Sequence, residues 1–161
     1  MTIKFAKTKK DAIIPSKKAE DAGYDIYPCF EENYIRIGAN HTKLVPTGIA
    51  SALPENYYFQ IEERGSTGSK GIKKSAGVID SGYRGEWFIA ITNCNNKDLL
   101  IVKEGTTIKN VDEHIIYPYE KAIAQAVLHE VPPATVEEVT YDELKSIASD
   151  RGDGAFGSSG K

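Results

Sequence analysis

The chain has 161 residues, 40% hydrophobic and 27% charged, with a formal net charge of −3, which suits one globular domain and excludes a disordered chain. Without a broad basic field, direct nucleic-acid binding is not expected, although local donors can still hold a small polyanion. Met1 to Lys10 shows no apolar run of the signal-peptide kind, and no stretch approaches the ~18 apolar residues of a membrane span, so a cytoplasmic location is the default expectation.

In chain order, the sequence predicts strands at Ile3 to Thr8, Tyr24 to Tyr27, Tyr34 to Ile37, Lys43 to Leu53, Tyr57 to Glu62, Trp87 to Thr92, Leu99 to Val102 and Ala122 to Val131. These runs are rich in Ile, Val, Tyr and Thr and are punctuated by Gly, Pro and Asn, a pattern of all-β sandwiches and barrels. Ser69 to Ser75 can form one or two helical turns. Tyr141 to Ala148 reads as a short helix, with Thr140 as N-cap and Glu143 as capping-box partner. The last eleven residues, from Arg151, hold four glycines and the single aromatic Phe156, the composition of a flexible tail. Cys29 and Cys94 make neither a CxxC nor a zinc pattern and read as structural thiols.

Four segments offer chemistry. Asp21 and Asp25 bracket a glycine turn that leads into a strand; they cap their own backbone or present a carboxylate to magnesium or a hydroxyl. Glu63 to Gly71 combines a cation, hydroxyls and glycines able to approach an anion, or is a plain polar turn; its glycine spacing fails the Walker A pattern. Gly77 to Trp87 reads as a hairpin, an apolar strand and an Asp-Ser-Gly bend followed by a strand opening at Tyr83, with Asp80 at the bend. Gln125 interrupts an apolar strand and either faces solvent or needs partners.

In this order and at compatible spacing, the segments resemble the five motifs of the trimeric dUTPase family. Ala22-Gly-Tyr-Asp25 is similar to motif one and Arg64-Gly-Ser66 to motif two. Gly77-Val-Ile-Asp80 with Tyr83-Arg-Gly-Glu86 is similar to motif three. Ile123-Ala-Gln125 is similar to the centre of motif four, and Arg151-Gly with Gly154-Ala-Phe-Gly-Ser-Ser-Gly160 to motif five. The resemblance implies an all-β jelly-roll or distorted β-barrel, a homotrimer with sites at subunit boundaries, and a C-terminal arm that closes over them. It divides the chain into a β-barrel domain at 1–150 and an arm at 151–161.

The implied activity is hydrolysis of dUTP to dUMP and pyrophosphate by in-line water attack on the α-phosphate. That reaction limits uracil incorporation into DNA and supplies dUMP. Asp80 resembles the general base. Tyr83 resembles the residue that packs on the deoxyribose, and the backbone of Gly77 to Gly82, Ile79 included, the uracil reader. Arg64, Gly65, Ser66 and Gln125 resemble phosphate ligands. Asp25 resembles the carboxylate that holds Mg2+ through water. Arg151, Ser158 and Ser159 resemble γ-phosphate clamps, and Phe156 with Gly157 the lid on uracil.

Two departures stand out. Before Ile123, alanine at 122 stands where the family usually carries a basic residue. The connection Asn93 to Tyr119 is long and resembles the insert, about 94–118 here, of phage-encoded dUTPases from Gram-positive hosts, some of which bind repressor proteins. Such an origin implies the host cytoplasm as location. The insert is either an extra hairpin packed on the body or, given the exposed-looking Tyr117 and Tyr119, a repressor-binding surface. Alternatives of other kinds are a dCTP deaminase of the same fold and a non-catalytic regulatory binding protein.

Overall fold

The computed structural model describes residues 1–154. It divides into two compact units, Met1–Val131 and Pro132–Lys161. The division falls where the last strand has ended and Pro132-Pro133 forbids its continuation.

The first unit is all-β, as the sequence predicts. Its strands are β1 (Lys4–Lys7), β2 (Gly23–Ile26), β3 (Tyr34–Ile37), β4 (Thr42–Pro46), β5 (Ile49–Ala52), β6 (Tyr57–Glu62), β7 (Ile72–Lys74), β8 (Val78–Asp80), β9 (Phe88–Asn93), β10 (Asp98–Val102), β11 (His114–Pro118) and β12 (Ala124–Glu130). They form four small sheets, ordered β1-β5, β11-β10-β3, β2-β12-β6-β8 and β4-β9-β7. Their inner faces share one core, in which Trp87, Phe59, Ile26, Ile61 and Ile89 are fully buried. Phe59 and Trp87 pack ring against ring within it, and the partly buried Phe5 packs against both.

The sheet β2-β12-β6-β8 carries most of the candidate site, and its register decides which residues share a face. Ile26, Ala124, Ala126, Phe59 and Ile61 point into the core. Strand alternation sends Asp25, Gln125, Glu62, Tyr58 and Asp80 to the opposite face, because Gln125 pairs with Asp25 and Glu62 while Tyr58 pairs with Asp80.

Four expectations are corrected. The run predicted as one strand at Lys43 to Leu53 is two, broken at Thr47-Gly48. Gly48 has φ +68°, and a Cβ there would fall 2.8 Å from Ala12 and 3.0 Å from the Cys29 sulfur. Such a bend suits only glycine. The helix expected at Ser69 to Ser75 lies earlier, as the single turn α1 (Gly65–Gly68). The Thr67 hydroxyl accepts from the Arg64 N–H at 3.1 Å and fixes the turn there, and Ile72 is drawn into the core as part of β7. Gly77 to Trp87 is not a hairpin: β8 pairs with β6, whereas β9 pairs with β4 and β7 in another sheet. The chain there crosses between sheets.

The fourth correction concerns the long connection. Tyr117 is 3% exposed, and Tyr119 packs edge-on against Phe30 at 4.8 Å. The aromatics that suggested a docking surface therefore face inward. β10 pairs with β11 and, through β3, belongs to the body of the fold. Leu99 and Ile101 of β10 are almost wholly buried, each worth about 1.5–3 kcal/mol of burial. The segment is a structural strand pair, so excising it removes part of the core.

Cys29 is buried and Cys94 exposed, and both are free. In the second unit, α2 (Tyr141–Ser146) starts where predicted. The Thr140 hydroxyl accepts from Glu143 N–H at 3.2 Å, while the Glu143 carboxylate accepts from Thr140 N–H at 2.8 Å. The Thr140 N–H and the Thr140 hydroxyl, which donates to the same carboxylate at 2.7 Å, hold the Glu143 carboxyl below its ordinary pKa. No helix among the described residues is long and apolar enough to cross a membrane.

Candidate active site

Three of the sequence motifs meet in one cavity. Asp21, Ala22, Gly23, Asp25, Arg64, Gly65, Ser66 and Gln125 line a space of about 400 Å³. Asp25 projects from β2, where its N–H donates to the Ser16 carbonyl at 2.9 Å. Arg64 stands at the start of α1, directly after β6, and its guanidinium grips Asp25 with two bonds. Nε lies 2.9 Å from Oδ1 and Nη2 3.4 Å from Oδ2. Nη1 donates to the Ala122 carbonyl at 3.3 Å. A planar fork that engages a carboxylate and a carbonyl is held far more firmly than a lysine would be.

Gln125 does not face open solvent. Its Nε2 donates to the Glu63 carbonyl at 2.8 Å, joining β12 to the turn that carries Arg64. The rest of its amide lies across β2, where a Cβ at position 23 would fall 2.3 Å from Oε1. Glycine at 23 is therefore what lets Gln125 reach the cavity. The sequence marks Asp21 as a carboxylate beside a glycine turn, and Ala22 and Gly23 as part of the first motif, without showing that all three line the same cavity. Their signal was the Gly next to a carboxylate at a strand start, legible only once Gln125 is placed opposite.

The cavity's charge decides what it can hold. One guanidinium is offset by the two carboxylates of Asp21 and Asp25, so these side chains cannot neutralise a triphosphate by themselves. A divalent ion fits this donor set. Magnesium binds through one or two carboxylates together with substrate phosphates and keeps several waters. With both Asp25 oxygens engaged by Arg64, its contact would run through such a water. Among the described residues, no group of three His, Cys, Asp or Glu side chains forms a metal cage.

Asp80 and Tyr83 lie elsewhere. Asp80 ends β8 and is exposed, at a second cavity of about 340 Å³ formed with Glu55, Tyr57, Tyr58, Val78, Ser81 and Val131. β8 pairs only with β6 among the described strands, so its outer main-chain edge is open. A tight turn follows, with the Tyr83 N–H donating to the Asp80 carbonyl at 3.1 Å. The Tyr83 hydroxyl donates to the Glu86 carbonyl at 2.9 Å. Arg84 Nη1 donates to the Ser81 carbonyl at 2.5 Å. Glu86, unassigned from sequence, ties the loop down by accepting from Gly48 N–H at 3.0 Å and from the Thr8 hydroxyl at 3.2 Å.

Within one chain these two places do not meet. Gln125 and Asp80 are two strands apart and four residues out of step along β6, a separation of about 17 Å by strand geometry. Gly77 lies between them, its carbonyl accepting from Ile61 N–H at 2.8 Å, and Ile79 packs on the core side. Arg151 belongs to the second unit, where its Nε donates to the Gly154 carbonyl at 3.0 Å. Phe156, Gly157, Ser158 and Ser159 lie outside the described residues.

A family model described as dUTPase matches residues 9–111. A deoxyuridine 5'-triphosphate nucleotidohydrolase of Candida albicans is 35% identical over 150 residues, covering 92% of this chain and 81% of its own length. The protein of that name from Nautilia profundicola is 33% identical over 165 residues, covering all of both chains. Among solved structures, the Staphylococcus bacteriophage 80alpha dUTPase with dUPNHPP is similar at 25% identity, with TM-score 0.77 and 99% of both chains covered. The EIAV dUTPase is similar in fold at 22% identity, with TM-score 0.62, covering 88% of this chain and 98% of that one.

Proposed function

We propose a mechanism for this chain on the premise that it belongs to the dUTPase family and is a dUTP diphosphatase of jelly-roll β-fold. The observation that carries the mechanism is the cavity in which Arg64, Gly65, Ser66 and Gln125 face Asp25. It has the donors, the size and the unfilled demand for positive charge that suit a magnesium-bound triphosphate.

Arg64, the Ser66 hydroxyl and Gln125 hold the phosphate chain; Asp25 orients Arg64 and would hold magnesium through water. Magnesium, when bound, spreads the negative charge of the phosphates and of the leaving pyrophosphate. Tyr83 packs on the deoxyribose and leaves no room for a 2′-hydroxyl. The open main-chain edge around Gly77 to Gly82 matches the uracil edge. Asp80 holds the attacking water and takes its proton as the new oxygen–phosphorus bond forms at the α-phosphorus and pyrophosphate departs. Catalysis of this kind is mainly positioning and charge stabilisation.

The gap between Asp80 and the cradle gives the assembly a chemical purpose. In a homotrimer, Asp80 and Tyr83 of one protomer stand over the phosphate cradle of the next. The arm at 151–161 closes the site with Arg151, Phe156, Gly157, Ser158 and Ser159 on base and γ-phosphate, completing the division into a 1–150 domain and an arm. The likeness to the bacteriophage 80alpha enzyme supports the phage-encoded type. No observation favours a repressor partner, since Tyr117 is buried.

The test is release of pyrophosphate from dUTP, with and without magnesium, against dTTP, dCTP and UTP. Pyrophosphate from dUTP alone, lost on chelation, is the expected result. Ammonia from dCTP would instead identify a deaminase, and silence on all four nucleotides a binding protein.

A further inference from the structure

Tyr117 lies outside every motif that pointed to the site, yet it reaches the cradle from behind. Its ring sits in the core on β11, and its hydroxyl donates to the Ala122 carbonyl at 2.6 Å. The same carbonyl accepts from Arg64 Nη1 at the longer distance of 3.3 Å. The other two guanidinium nitrogens are on Asp25. One buried carbonyl is thus shared between a phenol in the core and the cation that lines the cavity. Burial pushes the Tyr117 pKa up against the opposing pull of Arg64 and Ser66 beside it, so the phenol keeps its proton and remains a donor.

We propose that Tyr117 is a positioning residue of the phosphate cradle: its hydroxyl satisfies the Ala122 carbonyl and so holds Arg64 at the cavity wall, in reach of the triphosphate. The proposal rests on the phosphate-binding part of the reading above. A carbonyl has two lone pairs, and here the shorter bond belongs to the tyrosine. Without it, a carbonyl in a buried place has only Arg64 as partner. An under-satisfied buried acceptor draws its remaining donor closer, which pulls the guanidinium inward and away from a ligand. Ala122 has no side-chain donor of its own, so the strand before it supplies one.

Tyr117→Phe removes the donor and keeps the ring. Binding of inorganic tripolyphosphate with magnesium, binding of deoxyuridine, and dUTP kinetics would be measured for the full-length chain. Tripolyphosphate affinity is expected to fall roughly two- to twelve-fold, the range of one neutral hydrogen bond. Deoxyuridine affinity should stay unchanged, and the kinetic loss should appear in KM with kcat nearly kept. In an Arg64→Ala background, Tyr117→Phe should cost tripolyphosphate binding nothing more, because the two act as one unit. Equal losses with and without Arg64, or an unchanged tripolyphosphate affinity, would overturn the proposal. Tyr117→Met, apolar and without a donor, gives the same reading should the phenylalanine variant fold poorly. A chain that binds tripolyphosphate in this Tyr117-dependent way but leaves dUTP intact would sink the reaction and uphold the positioning role.

Discussion

The cradle around Arg64 and the corner around Asp80 occupy the same outward face of the same four-stranded sheet, yet they are held in different ways. In the cradle the two long functional side chains are fixed by other parts of the chain: Arg64 by Asp25 and Ala122, Gln125 by Glu63 and by the room that Gly23 leaves. In the corner only the frame is fixed, through Glu86, Arg84 and the Tyr83 hydroxyl, while Asp80 and the Tyr83 ring remain exposed. A binding subsite must be preorganised before ligand arrives. A general base needs water and substrate beside it, and in the proposed homotrimer the surface that brings them belongs to another copy of the chain.

That contrast is most severely tested at Asp80. Asp80→Asn should lower kcat by about 10²–10⁴-fold, the usual worth of general-base catalysis, with dUTP binding nearly intact. Turnover close to the parent's in a stopped-flow assay would remove Asp80 from the chemistry. Next in size is complementation. Asp80→Asn and Arg64→Ala are each expected to be nearly inactive. Refolded together in equal amounts, they should regain roughly a quarter of the parental activity, because heterologous contacts pair an intact Asp80 with an intact Arg64 from a different protomer at that frequency. No recovery in the mixture would mean that the two places never share a substrate. Gly23→Ala should act on the cradle alone. Its Cβ displaces Gln125 and is expected to raise KM about tenfold, by the loss of a hydrogen bond to a charged ligand, with kcat little changed. A normal KM would show that Gln125 does not touch phosphate.

How legible each region was follows from the same difference. The cradle residues were legible through the resemblance of their short motifs, taken in order, to a known family; each motif alone reads equally as a polar turn or a capped bend. Their convergence was not legible, because it depends on Gln125 falling opposite both Asp25 and Glu62, a register no single segment encodes. Asp80 and Tyr83 were also named, but the hairpin assigned to them was wrong. A local Asp-Ser-Gly bend between apolar runs cannot reveal that its two flanking strands join different sheets. Around α1 the hydroxyl of Thr67 moved the helical turn four residues earlier than glycine spacing suggested. Tyr117 was misjudged for a related reason. In His114-Ile-Ile-Tyr-Pro-Tyr119 the strand is short and ends on proline, so alternation could not tell which tyrosine faced in. The parallel pairing of Tyr117 with the buried Ile101 settles it.

The smallest expected effect lies at alkaline pH and separates the two regions by stability. Burial raises the pKa of Tyr117 and of Tyr119 above the ordinary phenol value. A group whose pKa is raised on folding contributes stability that is fully present below its unfolded value of about 10. That contribution is lost as pH climbs from there through the folded value. Near neutrality Tyr117→Phe should therefore melt slightly below the parent, by the ~1 kcal/mol of a lost hydrogen bond. Above pH 10 the parent alone must expel a Tyr117 proton from the core, whereas Tyr119 titrates in both proteins and cancels. The gap in Tm should narrow as pH rises from 9 to 11. A gap that stays constant would mean that the phenol is not held neutral by the fold. The hydroxyl would then lose its role as a donor, and the Ala122 carbonyl would hold Arg64 without it.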